Sequence, residues 1–313
     1  MDNLEIFSGT AHPALAEKIC EYLGITPAET RICRFPDGEL DVRLEKDIRG
    51  KDVFIVQPTC PPVNENLMEL LILLDTARRA SADRVTAVVP YYGYARKDRK
   101  DEGRVPVTAK LVANMLVAAG ADRVLAVDLH ASQIQGFFDI PTDHLFAAPV
   151  LAGYFNGLNL GEVAVISADV GGVKMARAYS KRLGGTFAIV DKVRLGPEQT
   201  EVDQLYGEVE GKTAVIIDDM IATGGSVVEA TDVLLRHGAK NVYIGATHGV
   251  FCGSFADRIR SCKAVEVVVT DTIPLPDLPD DVKNRIRIVS IGSFLGEAIK
   301  RIHSNESVSS LFR

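Results

Sequence analysis

Short apolar, β-branched runs, each followed by a polar cluster and then a helical pattern, constrain the fold of this chain more than any other feature. Eight runs are hydrophobic on both faces, as the buried strands of parallel sheets are: Val53–Val56, Val85–Val89, Val124–Val127, Val163–Ile166, Ala188–Val190, Ala214–Ile217, Val242–Gly245 and Val265–Val269. Helical patterns lie between them, at Asn66–Arg79, Val107–Ala119, Gly172–Leu183 and Val227–His237. This alternation predicts an α/β protein with mainly parallel central sheets flanked by helices.

An internal repeat indicates two related domains. The phrase Gly-Lys-Asp-Val at 50–53 opens one predicted strand, and Gly-Lys-Thr-Ala at 211–214 opens another about 160 residues later. A loop, a helix and a second strand follow both phrases in the same order. Chance recurrence of a short phrase is the alternative, but the shared order favours duplication. We therefore predict tandem domains at 1–145 and 146–313, with the last ~25 residues, including a strand at Arg287–Ser290 and a helix at Leu295–Ile302, free to pack on the first.

Composition excludes several classes of protein. With 47% hydrophobic and 25% charged residues, the chain is neither disordered nor collagen-like. A net charge of −7, no Trp and 6% aromatic residues argue against a nucleic-acid partner. The first residues carry no basic and apolar leader, and no run approaches the roughly 18 apolar residues of a membrane helix. Five scattered cysteines are typical of reduced thiols, so we expect a cytoplasmic protein with no membrane partner.

The segment Val215–Ser226 carries the clearest ligand-binding pattern. An apolar strand is predicted to end in Asp218 and Asp219, and a Thr-Gly-Gly-Ser loop then leads into a helix. Gly224 and Gly225 let a ligand approach the backbone, and the free N–H groups and positive dipole end of a helix suit a phosphate monoester. The carboxylates can accept hydrogen bonds from vicinal sugar hydroxyls. The pattern therefore favours a ribose-phosphate site.

Nearby residues also resemble two other patterns, a helix capping box and a phosphate-binding loop. Ser226 and Glu229 have the spacing of a plain capping box, which is compatible with a phosphate site at the same helix. The segment Gly207–Thr213 resembles a phosphate-binding Walker loop, but it has three residues between its glycines and precedes a strand instead of following one. The glycine fingerprint of dinucleotide-binding folds is missing from the sequence. Neither nucleotide motif is therefore predicted.

Polar residues follow two further predicted strands, where open α/β sheets place their ligands. His130 follows Val124–Val127, and Asp169 follows Val163–Ile166. Together they could hold Mg²⁺ with substrate phosphates, because Mg²⁺ usually keeps few protein ligands. A histidine that is only hydrogen-bonded at the rim of the sheet is the alternative. From spacing alone, the rim histidine is the favoured interpretation.

Two cationic segments are candidates for binding phosphate. One is Arg96–Lys100, which follows three tyrosines, and it is either a polyphosphate clamp or an ordinary solvated loop. The other contains Lys192 and Arg194, which follow a strand, and it is either an exposed hairpin or a loop that closes over a transferring phosphoryl group. Charge alone does not decide between these alternatives.

Six motifs, taken in order, resemble those of the ribose-phosphate pyrophosphokinase family. They are Phe-Pro-Asp-Gly-Glu at 35–39, Tyr-Ala-Arg-Lys-Asp-Arg-Lys at 94–100, Val-Asp-Leu-His at 127–130, Ser-Ala-Asp-Val-Gly-Gly at 167–172, Asp-Lys-Val-Arg at 191–194 and Asp-Asp-Met-Ile-Ala-Thr-Gly-Gly-Ser at 218–226. The likeness runs from residue 6 to residue 309. It implies two tandem phosphoribosyltransferase-like domains and transfer of the β,γ-diphosphoryl group of MgATP to the C1 hydroxyl of ribose 5-phosphate, with release of AMP.

The resemblance also implies roles for individual residues. Those that match ATP-binding positions are Phe35, Asp37, Gly38, Glu39, Arg96, Lys97 and Arg99. Those that match the ribose-5-phosphate site are Arg194, Asp218, Asp219, Ala222, Thr223, Gly224, Gly225 and Ser226. His130 and Asp169 match metal ligands, while Lys192 matches the catalytic lysine and Arg194 its partner. The resemblance further implies Mg²⁺ and a homo-oligomer, of the hexamer-of-dimers type, in which a neighbouring subunit shares the adenine site.

The chain departs from the family pattern at a few positions. Ala222 stands where many members carry Asp, and Lys97 replaces a common Gln. Where allosteric members bind regulatory phosphate, Asp47 replaces Ser and Glu102-Gly103 replaces Lys-Ser. Added negative charge repels phosphate, so we expect weak or absent activation by phosphate and weak allosteric inhibition by ADP. A phosphoribosyltransferase that consumes the same product, or a non-catalytic regulatory homologue, are the alternative functions.

Overall fold

The computed structural model describes residues 3–194 and 201–312, apart from the side chains of 192–194, 201–203 and 312. The chain divides into two compact units. Unit 1 contains Met1–Phe146, Thr272–Pro274 and Ile291–Arg313, and unit 2 contains Ala147–Asp271 and Leu275–Ser290. The functional domains at 1–145 and 146–313 stay a prediction.

Unit 1 is built on a five-stranded, fully parallel sheet in the order β1-β4-β5-β6-β7. Its strands are β1 (Leu4–Ser8), β4 (Asp52–Val56), β5 (Arg84–Val89), β6 (Arg123–Val127) and β7 (Thr142–Leu145). All five residues of β4 are buried, which explains the unbroken apolar runs of the sequence. Helices α1 (Pro13–Leu23), α2 (Val63–Arg79), α3 (Thr108–Ala119) and α9 (Gly292–His303) complete the unit, with 3-10 turns at Ser132–Phe137 and Val308–Phe312.

A two-stranded antiparallel hairpin, β2 (Thr30–Arg34) and β3 (Leu40–Leu44), stands apart from this sheet. The residues of its turn, 35–39, are all exposed. Arg34 forms an ion pair of 2.5 Å with Glu65 of α2, which ties the hairpin to the unit. The hairpin therefore presents its turn to solvent from an anchored base.

A buried ion-pair network fastens the last helix to the sheet of unit 1. The β4–β5 register sets Asp52 opposite Arg84, and the guanidinium donates to both Asp52 oxygens at 2.8 and 2.5 Å. Arg84 also donates to the Ile302 carbonyl at 3.1 Å, and His303 Nδ1 lies 2.8 Å from Asp52 Oδ2. Because the Asp52 side chain is only 10% exposed, these partners replace the water that its carboxylate has lost.

Unit 2 is built on a seven-stranded sheet in the order β10-β9-β8-β11-β12-β13-β14. Its strands are β8 (Val163–Ser167), β9 (Thr186–Arg194), β10 (Glu201–Tyr206), β11 (Thr213–Ile221), β12 (Asn241–Gly249), β13 (Glu266–Thr270) and β14 (Ile286–Val289). Every pairing is parallel except that of β9 with β10. Its helices are α4 (Ala148–Gly157), α5 (Val173–Leu183), α6 (Gly225–Arg236), α7 (Phe255–Ser261) and α8 (Asp280–Lys283).

The predicted fold class is confirmed, since each unit has a mainly parallel sheet with helices. Seven of the eight predicted strands lie within observed ones, and the eighth, Val265–Val269, is shifted by one residue from β13 (Glu266–Thr270). The four internal helices agree with α2, α3, α5 and α6 within a few residues. The thiols of all five cysteines are unpaired. No helix in the described part of the chain is both long and apolar enough to span a membrane.

Candidate functional site

Acidic residues of unit 2 converge at the carboxyl ends of two neighbouring strands. The parallel register of β8 and β11 sets Ser167 opposite Ile217, so the residues that follow both emerge at one edge of the sheet. Asp218 and Asp219 follow Ile217, and Asp169 lies two residues past Ser167. Strand β11 does not end in the carboxylates as the sequence suggested, because it stays paired with β12 as far as Ile221. The carboxylates therefore sit on the part of β11 that runs past the end of β8 and is paired with β12 alone.

The Asp218 carboxyl occupies an unfavourable position for a negative charge. Its Oδ1 accepts the Asp219 N–H at 2.8 Å. Burial raises the pKa of Asp218 well above its usual range, and the nearby carboxylates of Asp219 and Asp169 raise it further. A cation would relieve this repulsion and a hydroxyl could donate to these carboxylates, so the edge has the chemistry to bind a cation or a sugar.

We expect Asp218→Asn to stabilise the protein at neutral pH in the absence of substrates. Between the ordinary pKa of an aspartate, about 3.9, and the raised pKa of Asp218, the folded state holds a proton that the unfolded state has lost. The free energy of unfolding of the wild type therefore falls as pH rises through this interval. Thermal unfolding should show a higher Tm for the variant at pH 8, and the difference should shrink towards pH 4. The exposed Asp232→Asn is the control, and equal destabilisation by Asp218→Asn at every pH would refute the expectation.

A glycine loop joins β11 to α6 at the same edge. Gly224 has φ 77° and stands immediately before the helix, a left-handed conformation that favours glycine. Its carbonyl accepts the first helical bond from Val228 at 3.1 Å. The leading N–H groups of α6 have no acceptor within the helix, and the helix dipole adds positive potential there. The loop thus presents an anion-binding backbone beside the carboxylate pair.

Residues after β12 hold this loop from behind. The Ile221 carbonyl accepts the N–H groups of Val250 and Phe251, both at 3.0 Å, and the Ala222 carbonyl accepts that of Cys252 at 2.9 Å. The ring of Phe255 lies 3.1 Å from where a Gly224 Cβ would stand. Sequence reasoning missed these supports because apolar residues and backbone groups carry no chemical motif.

The capping box proposed for Ser226 and Glu229 is wrong for this structure. Helix α6 begins at Gly225, its N-cap is Gly224, and no side-chain hydrogen bond caps it. Ser226 is therefore inside the first turn, where its exposed hydroxyl is available to a ligand at the helix start.

Asp169 lies in the turn before α5. Its Oδ1 accepts the Gly172 N–H at 2.8 Å, and its carbonyl accepts the Ser167 hydroxyl at 2.7 Å. The residue is exposed, so the second carboxylate oxygen faces outward from a fixed turn. Among the described residues, no group of three or more His, Cys, Asp or Glu side chains is placed to hold a metal ion. One exposed carboxylate with two more nearby suits Mg²⁺, which keeps most of its water and substrate ligands.

The candidate catalytic residues Lys192 and Arg194 lie in β9, and only the backbone of these two residues is described. Lys192 pairs with Asp203 of β10 and Arg194 with Glu201, in an antiparallel hairpin whose connecting residues 195–200 lie outside the described chain. The antiparallel pairing of β9 with β10 fits either alternative given for this segment, because the exposure of residues 192–194 lies outside the description.

The candidate ATP residues of unit 1 are presented by two separate segments. Phe35, Asp37, Gly38 and Glu39 form the hairpin turn, closed by a 2.8 Å bond from the Phe35 N–H to the Glu39 carbonyl. The Phe35 side chain is 50% exposed, which is unusual for a large apolar residue and leaves its ring free for stacking.

Arg96, Lys97 and Arg99 are exposed on the segment that follows β5. The segment is fixed by buried neighbours: the Tyr92 hydroxyl donates to the Ala109 carbonyl at 2.9 Å, and the Gly93 N–H donates to the Thr59 hydroxyl at 2.7 Å. Lys97 is drawn to Asp101 at 3.4 Å, and Arg96 and Arg99 form no ion pair with a carboxylate of the described side chains. The segment is therefore an anchored cationic surface.

His130 is exposed just beyond β6. The chain before it is fixed by bonds from the Asp128 N–H to the Leu145 carbonyl and from the Leu129 N–H to His144 Nε2, both 2.9 Å. Asp128 itself has φ 37°. His130 is thus carried at the carboxyl end of the unit 1 sheet, as the sequence predicted.

An acidic pair, a glycine loop and a helix start at the carboxyl edge of a parallel sheet are typical of α/β proteins that bind phosphorylated sugars. Comparison with known families specifies this class. Residues 4–120 match the N-terminal domain of ribose phosphate pyrophosphokinase, and residues 195–313 match the phosphoribosyl synthetase-associated domain.

Individual relatives agree over the full length. The ribose-phosphate pyrophosphokinase of Gloeobacter violaceus is 53% identical over 313 residues, covering 100% of this chain and 94% of that protein. That of Caldanaerobacter subterraneus is 48% identical, covering 99% and 98%. The crystal structure of phosphoribosylpyrophosphate synthetase from Mycobacterium smegmatis superposes with a TM-score of 0.90 at 40% identity, covering 97% and 99%. The chain belongs to the ribose-phosphate pyrophosphokinase family and is an enzyme of that class, so the resemblance stated from the motifs is confirmed.

Proposed function

We propose that this enzyme transfers the β,γ-diphosphoryl group of ATP to the C1 hydroxyl of ribose 5-phosphate, which yields 5-phosphoribosyl 1-diphosphate, a precursor for nucleotide biosynthesis, and AMP. The observation that carries the proposal in this chain is the start of α6, where a left-handed Gly224 opens a helix beside the Asp218–Asp219 pair. An anion site next to a site for hydroxyl groups suits a sugar phosphate better than it suits a phosphate or a sugar alone.

Ribose 5-phosphate is assigned to the edge of the unit 2 sheet. The 5-phosphate accepts hydrogen bonds from the backbone N–H groups at the start of α6 and from the hydroxyls of Thr223 and Ser226. Asp218 and Asp219 accept hydrogen bonds from the ribose hydroxyls, which stabilises negative charge on these carboxylates. Ala222 contributes backbone only, and its carbonyl is already held by Cys252. An acidic side chain at 222 is therefore not needed to fix the loop.

ATP is assigned to residues of unit 1. The exposed ring of Phe35 offers a face for adenine, and Asp37, Gly38 and Glu39 offer polar groups at its edge. Arg96, Lys97 and Arg99 offer cations to the phosphates. We also propose that the chain is a homo-oligomer, because an exposed, anchored hairpin turn is suited to complete the adenine site of another subunit.

The chemical step is attack of the C1 oxygen on Pβ in line with the bond to the α-phosphate, and AMP leaves with the bridging oxygen. The C1–O–P bond forms, the Pα–O–Pβ bond breaks, and the hydroxyl proton leaves to solvent. Lys192 and Arg194 stabilise the negative charge that moves onto the bridging oxygen. Positioning and pre-placed positive charge account for most catalysis of phosphoryl transfer.

We propose Asp169 in unit 2 and His130 in unit 1 each as a residue that would hold Mg²⁺. The bound ion would supply positive charge against the phosphates of ATP. The exposed Asp169 oxygen is the harder and better ligand of the two, and the Asp169 turn is fixed by its own backbone bonds.

We further propose a cytoplasmic location, because five unpaired thiols are typical of a reducing compartment.

One assay tests the proposed function against its alternatives. Purified enzyme is incubated with ribose 5-phosphate and MgATP, and AMP and phosphoribosyl pyrophosphate are followed by chromatography. We expect both products in equal amounts. Binding of both substrates without AMP formation would favour a regulatory homologue, and consumption of phosphoribosyl pyrophosphate with a base would favour a phosphoribosyltransferase.

The same assay tests the expected lack of phosphate activation. Asp47, Glu102 and Gly103 are exposed, and Asp47 Oδ1 already accepts the Arg49 N–H at 3.1 Å. We expect the rate to change little when inorganic phosphate is titrated at constant ionic strength, because these carboxylates repel the anion. Sulfate at the same ionic strength is the control. Strong, saturable activation that is specific for phosphate would contradict the expectation.

A further inference from the structure

We infer that Arg258, on helix α7, is a positioning residue for the phosphate loop: it orients the Thr223 hydroxyl and supplies positive charge where the 5-phosphate binds. The inference rests on the proposed ribose-5-phosphate site. It adds a side chain from a separate helix that lies 32 to 35 residues beyond the loop in sequence and belongs to none of the motifs that indicated the site.

The contact geometry fixes the direction of the Thr223 hydroxyl. Arg258 Nη1 lies 3.0 Å from Thr223 Oγ1 and 3.4 Å from the Thr223 carbonyl oxygen. A guanidinium has only donors, so it occupies a lone pair of the hydroxyl oxygen, and the single hydroxyl hydrogen must point elsewhere. A charged donor also polarises the hydroxyl and strengthens the bond that it donates. Thr223 is thereby prepared to donate to an anion at the helix start.

The two loop glycines differ in what requires a glycine: the backbone conformation at Gly224, and the space beside Arg258 at Gly225. Gly224 has a left-handed φ of 77°, whereas the φ of Gly225 is not in the left-handed range. A Cβ on Gly225 would instead lie 2.6 Å from Arg258 Nη1 and 3.4 Å from its Cζ. Glycine at 225 therefore leaves room for the close approach of the guanidinium and is not needed for its backbone angles.

The charge of Arg258 is available to a ligand. Two residues later on the same helix, Arg260 is held by Asp257 at 3.0 Å and by Asp281 at 2.6 Å. Arg258 forms no ion pair with any carboxylate among the side chains that the structure describes. A phosphate at the start of α6 would be its counter-ion.

Helix α7 presents Arg258 from a fixed position. The ring of Phe255 stacks on Phe251 with centroids 4.1 Å apart and lies against Gly224. Arg285 binds the carbonyls at the other end of the helix, with 2.7 Å to that of Cys262. A guanidinium carried by an anchored helix loses little conformational freedom when substrate binds.

The first test replaces Arg258 by Met and by Lys. A charge-assisted contact of this kind is typically worth about tenfold in affinity, so we expect the Met variant to raise the KM and Kd for ribose 5-phosphate about tenfold. The KM for ATP, kcat and Tm should change little, and Lys should restore part of the affinity. Arg260→Met removes a charge from the same helix away from the loop, and it should leave the ribose-5-phosphate affinity unchanged.

The second test uses the contacts themselves. Thr223→Ala should weaken ribose-5-phosphate binding, and Arg258→Met should cost less in that background than in the wild type. Gly225→Ala should fold, because the clashing atom ends a flexible side chain, and it should reproduce the Arg258→Met affinity with little further loss in the double variant. Full additivity in both double variants would overturn the inference.

The outcomes separate this inference from the function beneath it. If the wild type neither binds nor converts ribose 5-phosphate, the proposed function fails. If the wild type does both and Arg258→Met binds ribose 5-phosphate equally well, only the positioning role is wrong. An equal loss of affinity for both substrates, together with a lower Tm, would also refute the positioning role. That result would indicate that Arg258 is purely structural.

Discussion

Lys192→Ala is expected to lower kcat by about 10²–10³-fold while leaving the affinity for ATP nearly unchanged. The charge that Lys192 is proposed to stabilise develops on the bridging oxygen only as the Pα–O–Pβ bond breaks, so the loss falls on the transition state and not on the bound substrate. Initial rates of AMP formation give kcat, and equilibrium titration with a non-hydrolysable ATP analogue gives the affinity.

The matched control is Lys181→Ala, which removes an exposed cation from the end of α5 in the same unit. This variant should retain the wild-type rate. Lys192→Arg keeps the charge and should recover part of the turnover. An unchanged kcat in Lys192→Ala would exclude the lysine from the mechanism, and a parallel loss of ATP affinity would assign it to ground-state binding instead.

Asp52→Ala is expected to give the largest loss of stability, about 3–5 kcal/mol, because removing one partner of a buried ion pair leaves the other uncompensated. Both Asp52 oxygens accept from Arg84, and His303 uses the same carboxylate. An arginine guanidinium is not deprotonated in proteins, so Arg84 stays charged after the Asp52 carboxylate is removed and has lost that partner. Denaturant unfolding at fixed protein concentration measures the loss.

Asp75→Ala provides the comparison for a surface pair. Asp75 and Arg79 are 2.6 Å apart, but their side chains are 48% and 78% exposed. Solvent screens such pairs, so we expect Asp75→Ala to change the free energy of unfolding much less than Asp52→Ala does. Hydrogen exchange should further show that Asp52→Ala loosens α9 in particular. Equal effects of the two substitutions would show that burial of the Asp52 network contributes nothing.

The strands were predictable because they are buried on both faces, and an apolar run without alternation is a local signal. The same reasoning missed β1, α1, the β2–β3 hairpin, β7, α4, β10, α7 and α8. Strand β2 shows the reason: its residues are half-buried or exposed and rich in arginine, so no apolar run marks it. Its strand conformation depends on pairing with β3, which single-segment patterns do not report.

The chemical groups of the candidate site were predictable from the sequence, whereas the tertiary contacts that hold them in place were not. Glycine at 224 and carboxylates at 218 and 219 carry recognisable chemistry. The end of β11 was misplaced because the pairing of Met220 and Ile221 with β12 is a non-local contact. Arg258 was overlooked for the same reason, since its partner Thr223 is distant in sequence. Which residues hold a functional loop depends on tertiary packing, which sequence motifs do not encode.

The last helix has a consequence for how the chain folds as it leaves the ribosome. Helix α1 buries Leu15 and Ile19, and Gly296 of α9 has no side chain because Tyr22 of α1 covers it, with Cδ1 2.6 Å from where a Cβ would stand. Nearly 270 residues separate the two helices. Helix α1 is therefore synthesised early, and α9 can pack on it only when synthesis is almost finished. The strands of unit 1 have all been made once Leu145 is synthesised, but unit 1 receives α9 only after every strand of unit 2 has been made. Chaperones that shield apolar segments would therefore be expected to engage the N-terminal part of a nascent chain longest, although that part is made first.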